Sequence, residues 1–231
     1  MTRHIGIVGC SAEGAALCYT TICVEGAALL GPHAHPEVSL HGHSLAAYTA
    51  FLTAGDMAGV AGLMLDSAEK LARSGADFLI CPDNTIHQAM DRVRPASPLP
   101  WLHIAEVVAQ EARRRGFRRL GLLGTRWLVE SAVYPDALSA AGIAVVRPEE
   151  TERAEIDRII MDELVCGIFR PEATVTHQKA IEGLKKNGCD AVILGCTEIP
   201  LIVNDANAVL PTLDSTRLLA RAALRHAVAA G

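Results

Sequence analysis

A local pattern that occurs three times along the chain predicts the α/β fold class. In each copy a glycine ends a helical periodicity and leads into a short apolar run: SGADFLI from residue 74, RGFRRLGLL from residue 115 and NGCDAVIL from residue 187. Glycine at this place readily adopts the left-handed conformation that ends many helices. Short apolar runs that alternate with longer helical patterns are typical of parallel sheets buried on both faces. We therefore expect successive helix–turn–strand units.

The same patterns predict the individual elements and a division of the chain. Strands are expected at residues 4–8, 37–41, 78–81, 120–123, 143–146 and 191–194. Helices are expected at residues 56–74, 104–115, 128–141, 155–165, 173–187 and 215–229. Three prolines within residues 92–101 argue against a continued helix, so we place a boundary near Pro98. The first α/β domain is then 1–98, completed by the C-terminal helix 210–231, and the second is 99–209.

Composition argues against several classes of protein. The 231 residues are 50% hydrophobic with a net charge of −5, which is unlike a disordered chain or a nucleic-acid-binding one. The N-terminus resembles a strand rather than a signal peptide, and the uncharged stretches up to Pro36 are expected to be too short and too broken to span a bilayer. Seven cysteines, without metal or nucleotide motifs, predict free thiols in the cytoplasm, no metal and no cofactor.

Polar residues cluster where predicted strands end, which is where open α/β sheets bind ligands. The segments are GCSAEG from residue 9, CPDNTIH from 81, GTR from 124 and GCTEIP from 195. Cys196 follows a strand, where nearby backbone N–H groups favour a thiolate, although a buried core cysteine is the ordinary alternative. Asp83 and Asn84 are typical helix caps, or else Asn84 and Thr85 bind a substrate carboxylate while Asp83 faces the substrate carbon.

Two of these loops together resemble a known family. CPDNTIH and GCTEIP are similar to the P-C-N-T-x-H and G-C-T-E signatures of the aspartate/glutamate racemase superfamily. The opening IGIVGCSAEG, the LLGTR segment and the later segment ERAEIDRIIMDELVCGIF agree with the same family, so the resemblance covers essentially the whole chain.

The resemblance implies two pseudo-symmetric parallel-sheet α/β domains with the active site in the cleft between them. It also implies a cofactor-independent racemase or epimerase of an aspartate- or glutamate-like amino acid, an isomerase that acts as a homodimer. In that family a cysteine from each half flanks the α-carbon, and Cys196 matches the second cysteine. The implied substrate-binding residues are Ser11, Asn84, Thr85, Thr125, Thr197 and Glu198.

The chain departs from the family at the first cysteine. Asp83 occupies that position in register with Asn84 and Thr85, whereas Cys81 lies two residues earlier, inside the predicted strand. We therefore predict an unequal acid/base pair of Asp83 and Cys196. No cation lies between His43 and Asp56, where a distal carboxylate would be held, which leaves Arg126 and Arg170 as candidates. Histidines 41, 43 and 87 are expected to be structural.

Two other functions remain open at this stage. One is a cofactor-free decarboxylase or cis–trans isomerase of a small dicarboxylic acid, which needs one cysteine. The other is a non-catalytic carboxylate-binding protein. In each case the expected partner is a small amino acid or dicarboxylate, with no nucleic acid and no membrane.

Overall fold

The computed structural model describes residues 2–229, which fall into two compact units. Unit 1 contains the residues up to Ile104 together with those from Thr216 onward, and unit 2 is Ala105–Ser215. Each unit is built on a four-stranded parallel sheet, so the predicted α/β class is confirmed.

Unit 1 has the strand order β2-β1-β3-β4. Its strands are β1 Ile5–Gly9, β2 Val38–Gly42, β3 Phe78–Ile80 and β4 Trp101–Leu102. Its helices are α1 Ala12–Leu30, α2 Leu45–Ala54, α3 Met57–Arg73 and α4 Met90–Ala96. Strand β1 is fully buried, and its Ile7 pairs with Leu40 on one side and Ile80 on the other. The carboxyl ends of these strands therefore lie along one edge.

Helix α1 corrects one prediction from the sequence. The stretch expected to be too short and too broken to span a bilayer forms a continuous helix of 19 residues. By length and hydropathy it is the one helix among residues 2–229 that would be able to cross a membrane, a criterion that core helices also meet. Its Cys18 and Ile22 are fully buried, whereas Val24 is 68% exposed.

Unit 2 has the strand order β6-β5-β7-β8, the same arrangement as unit 1. Its strands are β5 Arg119–Leu123, β6 Ala144–Val146, β7 Ala191–Leu194 and β8 Thr212–Asp214. Its helices are α5 Ile104–Arg115, α6 Arg126–Val129, α7 Val133–Ala140, α8 Glu150–Asp162 and α9 Pro171–Lys186. Leu123 pairs with Leu194, which aligns the ends of the two central strands.

The last helix, α10 Ser215–Val228, follows β8 of unit 2 but packs in unit 1. The N–H of Arg3 donates to the Ala227 carbonyl at 2.9 Å. The His226 ring lies edge-on to Phe78, with ring centroids 4.7 Å apart. Arg221 contacts both carboxylate oxygens of Glu25 on α1. The chain therefore returns to unit 1 after completing unit 2.

The element predictions hold where the signal is local. All six predicted strands form, and glycines 75, 116 and 188 have positive φ as expected. The predicted helix at 128–141 was wrong, because it is divided into α6 and α7. The proline-rich segment stops a helix as expected, since α4 includes Pro95 but ends at Ala96.

Candidate active site

In unit 1 two predicted loops meet at the carboxyl edge of the sheet. Strands β1 and β3 are hydrogen-bonded neighbours, so the loop after Gly9 lies beside the loop after Ile80. Ser11 begins α1 as its N-cap, and its Oγ accepts the N–H of Gly14 at 3.2 Å. The structure thus places Ser11 at the same edge as the Asp83 segment. Its capping bond is a structural role that the sequence prediction did not include.

Asp83 is half-buried and held by the short 3₁₀ helix Thr85–Ala89 that follows it. Its Oδ1 accepts the N–H of Ile86 at 3.1 Å, which is the geometry of a helix cap. Asn84 is 2% exposed and makes no side-chain cap bond. The cap interpretation thus applies to Asp83. The bond also fixes the orientation of the carboxylate.

Cys81 has a different environment from Asp83. Its side chain is fully buried, and its Sγ lies 3.8 Å from the Asp83 carbonyl oxygen. Burial, followed by the nearby charge of Asp83, raises the pKa of the Cys81 thiol well above its ordinary value. Cys81 therefore stays a neutral thiol at pH 7, which makes it a poor proton acceptor.

His87 fixes the loop that carries Asp83. Its Nδ1 donates to the Asp83 carbonyl at 2.7 Å, and its Nε2 accepts the N–H of Ile104 at 3.3 Å. A histidine ring with one donating and one accepting nitrogen is a neutral imidazole. Burial and the neighbouring His103 lower the pKa of His87 well below its ordinary value. The structural role expected for His87 fits these contacts.

Tyr48 on α2 is a residue that the sequence analysis did not select. It is fully buried. Burial, with the nearby Cys81, Cys10 and Asp83, raises the pKa of its hydroxyl, which is therefore neutral. These neighbours place Tyr48 against the same edge of unit 1. The signal available in the sequence was an aromatic residue, one of two with Phe51, in the cation-free segment after His43.

Unit 2 repeats the arrangement with glycines at the ends of β5 and β7. A Cβ atom built on Gly195 would lie 2.7 Å from the Leu123 carbonyl oxygen and 2.7 Å from Leu128 Cδ2. One built on Gly124 would lie 2.9 Å from the same Leu128 atom. Both loops therefore need glycine at these positions, because any side chain there would collide with Leu128. Thr125 follows as the N-cap of α6, and its Oγ1 accepts the N–H of Leu128 at 3.3 Å.

Cys196 lies at this edge of unit 2, beside a buried carboxylate. Its Sγ is 2.9 Å from Glu198 Oε2, and Thr197 Oγ1 donates to the same oxygen at 2.7 Å. Cys196 is 8% exposed and packs with apolar residues that include Leu194 and Ile199. A core cysteine would need no carboxylate beside it, so this contact distinguishes Cys196 from an ordinary core thiol.

Glu198 is 1% exposed, and its Oε1 has no hydrogen-bond partner among residues 2–229. A buried carboxylate with an unpartnered oxygen is costly, because it has lost its water without full replacement. The family resemblance implies one of two roles for Glu198, to orient the neighbouring Cys196 or to bind a substrate amino group. The contact of its Oε2 with the thiol is compatible with the orienting role. Its unpartnered Oε1 is compatible with binding of an amino group.

The two arginines proposed for a distal carboxylate have contacts within unit 2. Arg170 is exposed and lies 3.9 Å from Glu163. Arg126 is also exposed, and its backbone N–H donates to Asp157 at 2.8 Å. Neither contact distinguishes a ligand-binding arginine from a surface one.

Comparisons with known proteins agree on one family. A family model described as Asp/Glu/Hydantoin racemase matches residues 5–223. The broad specificity amino-acid racemase of Bacillus subtilis is 26% identical over 163 residues, which cover 68% of this chain and 68% of that enzyme. The glutamate racemase of Thermus thermophilus is 30% identical over 166 residues, 70% of this chain but 59% of that enzyme.

Among solved structures, a crystal structure from Yersinia pestis, described as that of a candidate Asp/Glu racemase, is similar over nearly the whole chain. The TM-score is 0.88 at 32% sequence identity, with 98% of this chain and 99% of that chain covered.

Proposed function

Because the chain belongs to the Asp/Glu/hydantoin racemase family, we propose that it interconverts the enantiomers of a small amino acid by moving the α-proton between Asp83 and Cys196. The named relatives are racemases, which are isomerases, and they do not favour a decarboxylase, a cis–trans isomerase or a non-catalytic binding protein. Since one relative acts on glutamate and another has broad specificity, an aspartate- or glutamate-like substrate is the first to test.

The observation that carries the proposal is the hydrogen bond between Cys196 and Glu198. A thiol that donates to a carboxylate at 2.9 Å holds its proton in the resting enzyme. Cys196 then acts as the acid, and the Asp83 carboxylate acts as the base. For one enantiomer, Asp83 takes the α-proton and Cys196 protonates the resulting carbanion on the opposite face. The enzyme is left with a protonated Asp83 and a Cys196 thiolate, which is the form that accepts the other enantiomer.

The remaining predicted residues bind the substrate in this proposal. Asn84 and Thr85 in unit 1 and Thr125 and Thr197 in unit 2 are buried polar side chains at strand ends. Hydroxyl and amide donors of this kind suit a carboxylate and the negative charge that develops on it during proton removal. Ser11 is the weaker ligand because its Oγ already caps α1.

The proposal includes the conditions under which the enzyme works. Both proton carriers are protein side chains, so we expect turnover without pyridoxal phosphate and in the presence of a metal chelator. The seven cysteines are thiols rather than disulfides, which suits the reducing cytoplasm. We also propose a homodimer, as the resemblance implies, which light scattering of the purified protein will test.

Exchange of the α-proton with solvent tests the two-base assignment. Each enantiomer of a panel of amino acids is incubated in D₂O, and deuterium at Cα is measured by NMR. Asp83→Asn should lower exchange from one enantiomer by about 10²–10⁴-fold, and Cys196→Ser should do the same for the other. The free equilibrium between enantiomers stays at unity in every case.

Matched variants separate chemistry from folding. Asp91→Asn changes an exposed aspartate of unit 1, and Cys166→Ser an exposed cysteine of unit 2. Both should retain the exchange rates of the unmodified protein. Exchange that is unchanged from both enantiomers in Asp83→Asn would remove Asp83 from the mechanism.

A further inference from the structure

Three side chains of unit 1 that the proposed reaction does not use bring metal-binding atoms together. One donor atom from each of His41, His43 and Asp66 lies within 4.8 Å of the other two. His41 and His43 lie two residues apart at the end of β2, so an extended backbone directs both to the same side. Asp66 reaches them from α3. The long separation in sequence explains why no metal motif was visible.

We propose that His41, His43 and Asp66 form a binding site for a divalent transition-metal ion of the zinc type. Two imidazole nitrogens and one carboxylate oxygen are a donor set that such ions favour. All three side chains are partly exposed, so an ion can enter and water can complete the coordination. Three protein ligands with a solvent position form an open site rather than a closed structural one.

The present contacts need only a small change to accept an ion. His43 Nε2 lies 2.7 Å from Asp66 Oδ2. The ring centroids of His41 and His43 are 5.2 Å apart, and the ring planes meet at 77°. Donor atoms about 2.0–2.1 Å from a tetrahedral ion are roughly 3.3 Å from each other. An ion would therefore open the His43–Asp66 pair by about half an ångström. Ser67 contacts His41 Nδ1 at 2.9 Å and so orients that ring.

Lys70 is the competitor for this site. Its ammonium lies 2.6 Å from Asp66 Oδ2, one helical turn along α3. The two side chains are 38% and 44% exposed, so water can replace each partner when an ion displaces the lysine. Removal of the lysine charge should therefore strengthen cation binding, which a purely structural histidine cluster would not show.

Titration of chelator-treated protein with Co²⁺ and Zn²⁺ tests the site. The experiment uses the full chain carrying Cys166→Ser, since Cys166 is exposed and would offer a thiolate. We expect one equivalent of Co²⁺ to bind with visible d–d absorption and without a thiolate charge-transfer band in the near-ultraviolet, and we expect Zn²⁺ to raise the Tm. Binding should weaken at least about tenfold in His43→Ala and in Asp66→Asn.

Two further variants make the result decisive. His35→Ala removes an exposed histidine of the same unit and should leave metal affinity unchanged. Lys70→Ala should bind at least about threefold more tightly, so the test does not depend on variants that lose a ligand. Equal affinity in His43→Ala, Asp66→Asn and the parent protein, or a thiolate spectrum, would overturn the site. Racemisation measured with chelator present is a separate readout, so the two proposals fail independently.

Discussion

Glu198 is the residue whose environment is hardest to explain by packing alone. Its carboxylate is enclosed, takes hydrogen bonds from Cys196 and Thr197 through one oxygen, and leaves Oε1 without a partner among residues 2–229. An apolar residue of similar size would avoid the cost of burying this charge. Its position beside the thiol fits a residue that orients Cys196 and opposes early loss of the thiol proton.

Glu198→Gln separates these two effects. The amide keeps the volume but removes the negative charge, so it should lower kcat by about 10²-fold through lost orientation of the thiol. The same change should speed alkylation of Cys196 by iodoacetamide, because a neighbouring negative charge opposes a thiolate. Racemisation rates and mass spectrometry of the alkylated peptide measure both. Glu182→Gln, an exposed change in α9, is the control. Slower alkylation of Cys196 in Glu198→Gln would contradict this role of the Glu198 charge.

Tyr48 offers a second prediction at this scale. Its neutral buried hydroxyl lies near Asp83, so Tyr48→Phe removes a polar group close to one base only. We expect about tenfold slower deuterium exchange from the enantiomer that Asp83 deprotonates, with exchange from the other enantiomer preserved. Tyr19→Phe changes an exposed tyrosine of the same unit and serves as the reference. Equal slowing for both enantiomers would show a general structural effect.

At the scale of elements, what the sequence predicted depended on how local each signal is. Glycines at strand ends and apolar runs lie within a few residues of what they control, so the loops carrying Asp83 and Cys196 were predictable. Tyr48 reaches Asp83 only through the packing of α2, and His43 meets Asp66 only through the packing of α3. The division of 128–141 into two helices was equally invisible, because α6 begins at the Thr125 cap, before the predicted helix, and already ends at Val129.

Helix α5 has a pH-dependent contact near its C-terminus. Hydrogen bonds from Arg114, which has the largest effect, and from Arg115 lower the pKa of Glu111 to about 2. Because the unfolded value is near 4.3, this contact stabilises the fold above that pH and is lost as the pH falls towards 2. Glu111→Gln should lower the free energy of unfolding by about 1 kcal/mol at pH 7, since Arg114 is 71% exposed and solvent weakens the pair. Urea titrations should show the difference decrease as the pH falls through about 2, and a difference that stays constant with pH would contradict the assignment.

At the scale of the whole molecule, the chain path determines which part each segment stabilises. Both units use one strand order, yet the last helix belongs to the first unit. Leu219 and Ala223 of α10 are fully buried, and Arg221 binds Glu25 through both carboxylate oxygens. Unit 1 is therefore complete only after unit 2 has been synthesised, because its closing helix comes last.

Because α10 belongs to unit 1, a cavity in this helix should destabilise unit 1 more than unit 2. Leu219→Ala should cost about 2–5 kcal/mol, and the loss should fall on unit 1. In native-state hydrogen exchange, the amides of β1 and β3 should lose protection while those of β5 and β7 keep theirs. Leu184→Ala makes the matching cavity in α9 and should give the reverse pattern, because Leu184 is buried in the core of unit 2. Equal loss across both sheets in either variant would mean that the two units unfold as one cooperative body.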